Sequence, residues 1–224
     1  MTRPPMPDDA PMKAPRAAAF AGIVFSLLLI ASIALMRLSV PADPRDAGAW
    51  LETRADTVAL SMNLIPFAGV AFLWFIGVLR DRLGAREDRL FATVFLGSGL
   101  LFLAMIFLTA AMVGGIIFTF AADPHHGLGS STFTLARVMV YEATNVYGIK
   151  MAGVFMIVTS TLALRTRFLA RWIALLGYVL AMALIFSGRY IEWALIVFPL
   201  WVLLVSLYIL VDNLRSPENG AGGG

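Results

Sequence analysis

The sequence predicts an all-α membrane protein, a six-transmembrane-helix bundle with both termini in the cytoplasm (N-in/C-in). Three observations carry that prediction. The chain is 60% hydrophobic and 14% charged, against roughly 45–50% and about 25% in soluble domains, and its mean hydropathy is +0.85. Apolar residues gather into six runs, about 17–36, 57–79, 90–120, 138–164, 172–187 and 193–211. Each approaches or exceeds the roughly 20 residues that span a ~30 Å hydrocarbon core. None alternates like a strand, and backbone in lipid must satisfy its own hydrogen bonds, so each run reads as a helix.

The third observation is the division of positive charge. The N-terminal tail, the second and fourth loops and the C-terminal tail hold eleven Lys and Arg. The opposite side holds five: Arg37, Arg45, Arg54, Arg137 and Arg189. The positive-inside rule then puts both termini in the cytoplasm. The expected location is a bacterial cytoplasmic (inner) membrane, crossed several times.

Taken in order, residues 1–16 read as a disordered tail, with Pro4, Pro5, Pro7, Pro11 and Pro15 among few apolar residues. Residues 17–214 form the transmembrane domain, and 215–224 a second, Gly-rich tail. The first run has a rival reading as a cleaved signal peptide ending near Val40-Pro41-Ala42. Its length exceeds the roughly 7–15 apolar residues of a signal sequence, so retention is expected. After it, Asp43-Pro44 reads as an N-cap followed by proline at the first helical position, with Asp46 in the first turn. Ala47, Trp50, Leu51, Ala55 and Val58 then recur at helical spacing, while Glu52, Arg54 and Asp56 lie mostly elsewhere.

The third run outlasts the membrane. Ala110 to Phe120 continues apolar after Thr109, which already lies twenty residues beyond Arg89, so the helix either tilts strongly or projects outward. Phe133, Ala136, Val140, Ala143 and Tyr147 make a seam for another helix. Helices two, three and four are therefore expected to extend beyond the outer face as a packed cap, with Asp123–Gly129 at its tip.

The segment Tyr141 to Lys150 concentrates charge and polarity at the start of the fourth span. Ionisable groups at such depth need a partner, water or an exit to the interface. Lys150 lies fifteen residues from Arg165, or ~22 Å into the core at 1.5 Å per residue. Asn63 lies seventeen residues from Arg80, or ~25 Å in, near the same level. Glu142 falls at the interface. Lys150 either snorkels to headgroups or lines an outward-facing polar cleft with Glu142, Asn145, Asn63, Tyr147 and Tyr141. Asn63 also reads as an interhelical hydrogen-bond partner.

Several features have plainer readings. Ala110–Gly114, Ala111–Gly115 and Gly148–Ala152 are small-residue pairs suited to close helix packing. His125 and His126 project apart and lack further ligands at fixed spacing, so no metal site is expected. Arg189, Tyr190, Glu192 and Trp193 suit an interfacial turn. Cysteine is absent, which removes disulfides and thiolate chemistry. No span carries a haem-ligating His, and no phosphate-binding, zinc-protease or nucleophile-elbow motif occurs, so no cofactor is expected. The dispersed basic residues suit anionic lipid and no nucleic acid.

The external loop after helix one, the Tyr141-Glu142 start of helix four, and Arg167-Phe168-Leu169-Ala170-Arg171-Trp172 opening helix five carry a resemblance. In overall plan the chain resembles uncharacterised six-helix bacterial integral membrane proteins of unknown function. The resemblance implies a fold and a location, and no activity.

The function expected is non-enzymatic: a lipid headgroup or partner protein bound at the outer face through the polar cleft. The alternatives are a small-solute transporter using the same cleft and a membrane-embedded enzyme without recognisable motif.

Overall fold

A computed structural model of the chain describes residues 14–41, 43, 46, 48–83, 89–123, 130–187 and 193–215. Every regular element among them is helical: α1 (Ala14–Ser39), α2 (Trp50–Leu83), α3 (Arg89–Ala122) and α4 (Ser131–Glu142). A π-helical segment (Ala143–Gly148) joins α4 to α5 (Ile149–Thr166); α6 (Arg171–Ser187), a 3-10 turn (Ala194–Ile196) and α7 (Val197–Arg215) follow. The six apolar runs are thus six helical stretches.

Five stretches are long and apolar enough to cross a membrane: Ala17–Ser39, Trp50–Arg80, Leu90–Ala122, Ser131–Thr166 and Ala194–Leu214. The sixth, α6, is apolar but only 17 residues long, about 25 Å at helical rise and short of a ~30 Å core.

With α4, the π segment and α5 taken as one continuous stretch, the first five helical stretches run antiparallel in turn. Ser32 of α1 meets Ser61 of α2, Phe72 of α2 meets Phe102 of α3, and Thr109 of α3 meets Thr144 of the π segment. Thr161 of α5 meets Tyr178 of α6, and Gly22 of α1 abuts Ser206 of α7. Phenylalanines fill the centre. The Phe72 ring, fully buried, lies 4.4 Å from Phe25, 5.2 Å from Phe155 and 5.7 Å from Phe198, centroid to centroid. These are tilted and edge-on arrangements that aromatic quadrupoles favour.

Side chains at the far ends of α2, α3 and α4 pack together. Trp50, Leu51 and Val58 are buried, as are Val113, Ile116, Phe133 and Val140, and the polar face of α2 (Glu52, Arg54, Asp56) is exposed.

Three local expectations need correction. First, α2 begins at Trp50, not after Asp43. The Asp43 carbonyl accepts from Asp46 N–H (3.1 Å), and Asp46 Oδ1 accepts from Gly48 N–H (2.9 Å). That is a side-chain turn of the kind aspartate favours, closed by Gly48 at φ 92°, where a side chain would be strained. Pro44, Arg45 and Ala47 lie outside the described residues. Second, the α4 seam holds through Ala143 and then shifts. The π turn inserts extra backbone per turn, so Gly148 is buried while Tyr147 is 59% exposed. Third, Gly114 and Gly115 are exposed, and a methyl group added at either would meet open space. They mark no packed helix contact among the described residues. Gly148–Ala152 does pack: both are buried, and Gly148 abuts Met105 and Ile106 of α3.

Candidate functional site

The most developed site is a cavity of about 90 Å³ among α1, α2, α3, α4 and the π segment. It lies at the end of the bundle opposite Ala14 and Arg215.

The last turn of α1 contributes Arg37, half-buried, at the end of a helix where the backbone dipole favours a cation. Arg37 Nη2 donates to Asn145 Oδ1 at 2.9 Å. Asn145 is buried in the π segment and donates its own amide to the Tyr141 carbonyl at 3.1 Å. Widened π turns often sit at functional sites. Here the turn brings a polar side chain onto the buried face of the helix.

The second cation comes from α4. Arg137 falls four residues after Phe133 and three before Val140, on the buried stripe, and is only 6% exposed. Its Nη2 donates to the carbonyls of Pro41 (3.0 Å) and Asp43 (2.9 Å), so it pins the connector after α1. The guanidinium lies 5.8 Å from the Trp50 ring centroid, within range of a cation–π contact. Arg137 Nε is buried and has no hydrogen-bond partner among the described residues.

Around these groups Tyr141 and Thr144 complete the polar end of the lining. Leu29, Ile33, Met36, Met62, Ile65 and Ile106 supply apolar walls. Thr144 and Thr109 hydroxyls pair at 2.8 Å. The arrangement offers two held guanidinium groups above an apolar floor, that of Arg137 within electrostatic range of Asp46 and Asp43. It offers no nucleophile–base pair, and among the described residues no His, Asp and Glu cluster is placed to hold a metal.

Of the residues named from sequence, Asn145 and Tyr141 line this cavity. Glu142 is half-buried at the start of the π segment and outside the lining. Lys150, Tyr147 and Asn63 are exposed and outside it as well. The structure therefore brings two of the six together and leaves the others apart. Sequence reasoning misses Arg37 and Arg137 as site residues, because in a count of loop charges each is one more external cation. The signal that finds them is their placement: Arg137 on the apolar seam of α4, and Arg37 four residues before Pro41. His125, His126, Arg189, Tyr190 and Glu192 lie outside the described residues.

A second, wider depression of about 550 Å³ lies between Leu51, the end of α3 (Met112, Ile116, Phe120) and Phe133 of α4. Comparison with known protein families, curated proteins and solved structures gives no match to this chain. Fold and composition are those of a helical integral membrane protein.

Proposed function

We propose that this is a multi-pass, non-enzymatic protein of the cytoplasmic membrane that binds an anionic lipid headgroup in an outward-facing cleft. The eleven-to-five division of Lys and Arg supports placing both termini in the cytoplasm. The cavity then opens toward the outer face, and the ends of α2, α3 and α4 form a cap around it. The observation that carries the reading is the pair of arginines, Arg37 and Arg137, at one cavity with apolar walls. Arginine matches carboxylate and phosphate geometry and is less strongly hydrated than lysine. These two residues, not Lys150, supply the charge.

The test is lipid retention by the full chain. Purified protein is exchanged into nanodiscs containing phosphatidate and phosphatidylcholine, and bound lipid is counted by native mass spectrometry. Arg37→Gln and Arg137→Gln should lower phosphatidate retention by at least about tenfold, a change of ~1.4 kcal/mol. Lys150→Gln should leave it unchanged. Equal retention by all four proteins sinks the reading.

The π segment supports a second reading, a small-solute carrier, because transporters build sites at interrupted helices. Its test is uptake of anionic solutes into proteoliposomes, and uptake indifferent to Asn145→Leu would remove that support.

A further inference from the structure

We infer that the wider depression of about 550 Å³ is a second binding site, for a small organic cation with an apolar or aromatic body. Among the described residues it shares no lining with the arginine cavity. The two readings therefore stand or fall separately.

The first support is size and lining. Sites for small organic molecules enclose roughly 300–1,000 Å³ and are mostly apolar, with a few placed polar groups. Here Leu51, Ile116 and Phe133 are buried, so packing holds that part of the wall. Met112 and Phe120 are half-buried, and a methionine adapts readily to the shape of a ligand. Gly115 keeps the wall low between them, since a Cβ there would meet no atom within 4 Å.

The second support is charge. Among the described residues Asp123 is the one ionisable group in the lining, and no Lys or Arg accompanies it. Its carboxyl is anionic at neutral pH. It follows the C-terminal end of α3, where aligned carbonyls favour a cation and the last turn holds no basic residue. The Thr119 hydroxyl donates its proton to the Gly115 carbonyl (2.9 Å), so it can only accept from a ligand. The N-terminus of α4 also reaches the rim and would favour an anion, but it is capped. Ser130 Oγ accepts there from Phe133 N–H (3.2 Å). Phe120 and Phe133 add two aromatic rings, which attract cations and serve quaternary ammonium groups in particular. The arginine cavity is the reverse case, with two guanidinium groups and no carboxylate in its lining.

The probe is phenyltrimethylammonium, titrated into the full chain in phosphatidylcholine nanodiscs and followed by NMR of isotope-labelled methionine methyl groups. Met112→Leu assigns the signal of Met112. Phenyltrimethylammonium should shift that signal to saturation. Benzenesulfonate, of similar size and opposite charge, should bind at least about tenfold more weakly. Asp123→Asn, at an exposed position, should weaken the cation about threefold, the scale of one exposed charge. It should leave binding of the neutral methyl phenyl sulfone unchanged. A Met112 signal that phenyltrimethylammonium does not move overturns the inference. So does equal binding of the sulfonate, or a cation affinity indifferent to Asp123→Asn. A Met112 signal that follows protein concentration instead of ligand would mean that a second copy fills the depression, and overturns it as well.

Discussion

The guanidinium of Arg37 donates to Asn145 Oδ1 at 2.9 Å across 108 positions of sequence. Because Asn145 also donates to the Tyr141 carbonyl, one side chain ties the end of α1 to the π segment. The cavity's polar end is therefore a joint between helices.

That joint has a measurable strength. Interhelical hydrogen bonds in membranes contribute about 0.6–2 kcal/mol. A double-mutant cycle of Arg37→Met and Asn145→Leu, followed by equilibrium unfolding in mild detergent, should give a coupling in that range. Additive single-mutant effects would mean that the bond contributes nothing.

Arg137 should be harder to replace. Its removal takes one donor each from the Pro41 and Asp43 carbonyls, of which Asp43 keeps the Asp46 N–H, and bonds to charged groups contribute about 1.5–3 kcal/mol each. Arg137→Ala is expected to lose about 3 kcal/mol of stability. It should also speed proteolysis between α1 and α2. Arg137→Lys should recover less than half, since an ammonium lacks the planar fork. Full recovery by lysine would indicate that charge, and not geometry, holds the connector.

The fold was legible in the sequence because lipid leaves so few options. Runs of apolar residues near membrane length have to be helices, and the six runs coincide with six helical stretches. The amphipathic pattern of Trp50, Leu51 and Val58 likewise marked the buried face of α2. The site was only partly legible. Asn145 and Tyr141 stood out as polar residues in an apolar run. Arg137 did not, because a charge beside a predicted interface reads as solvated until the packing of α4 on its neighbours is known. Tyr147 shows the limit of periodicity. A seam extended at three- and four-residue steps assumes regular α turns, and a π turn moves the next buried position to Gly148. The depth count met a related limit. It places Lys150 along the helix axis and says nothing about which side of the helix it leaves from, and that side is the exposed one.

Orientation can be tested directly because the chain has no cysteine. Asp123→Cys, exposed after α3, and Thr166→Cys, exposed at the end of α5, lie at opposite ends of the bundle. In intact cells a membrane-impermeant maleimide should label Asp123→Cys. Thr166→Cys should be labelled only after permeabilisation. The reverse pattern would turn the cleft toward the cytoplasm and sink the outward-facing reading.

The last prediction concerns the packing that holds the opposite flank of the bundle. Gly177 is buried on α6, where a methyl group would run into Ser160 Oγ of α5 and come within 2.9 Å of Trp201 Nε1 on α7. Trp201 is 1% exposed and has little room to move. Gly177→Ala should therefore destabilise by about 1–3 kcal/mol, the usual range for overpacking a dense core, although alanine is the better helix former by about 1 kcal/mol. Ser160→Ala removes the oxygen that the new methyl would strike and also a buried hydroxyl with no hydrogen-bond partner among the described residues. Added to Gly177→Ala, it should restore part of the loss and leave the share due to Trp201. Thermal unfolding of the two single variants and the double variant reads both shares. A double variant no more stable than Gly177→Ala would mean that Trp201 alone sets the approach of α6 to its neighbours.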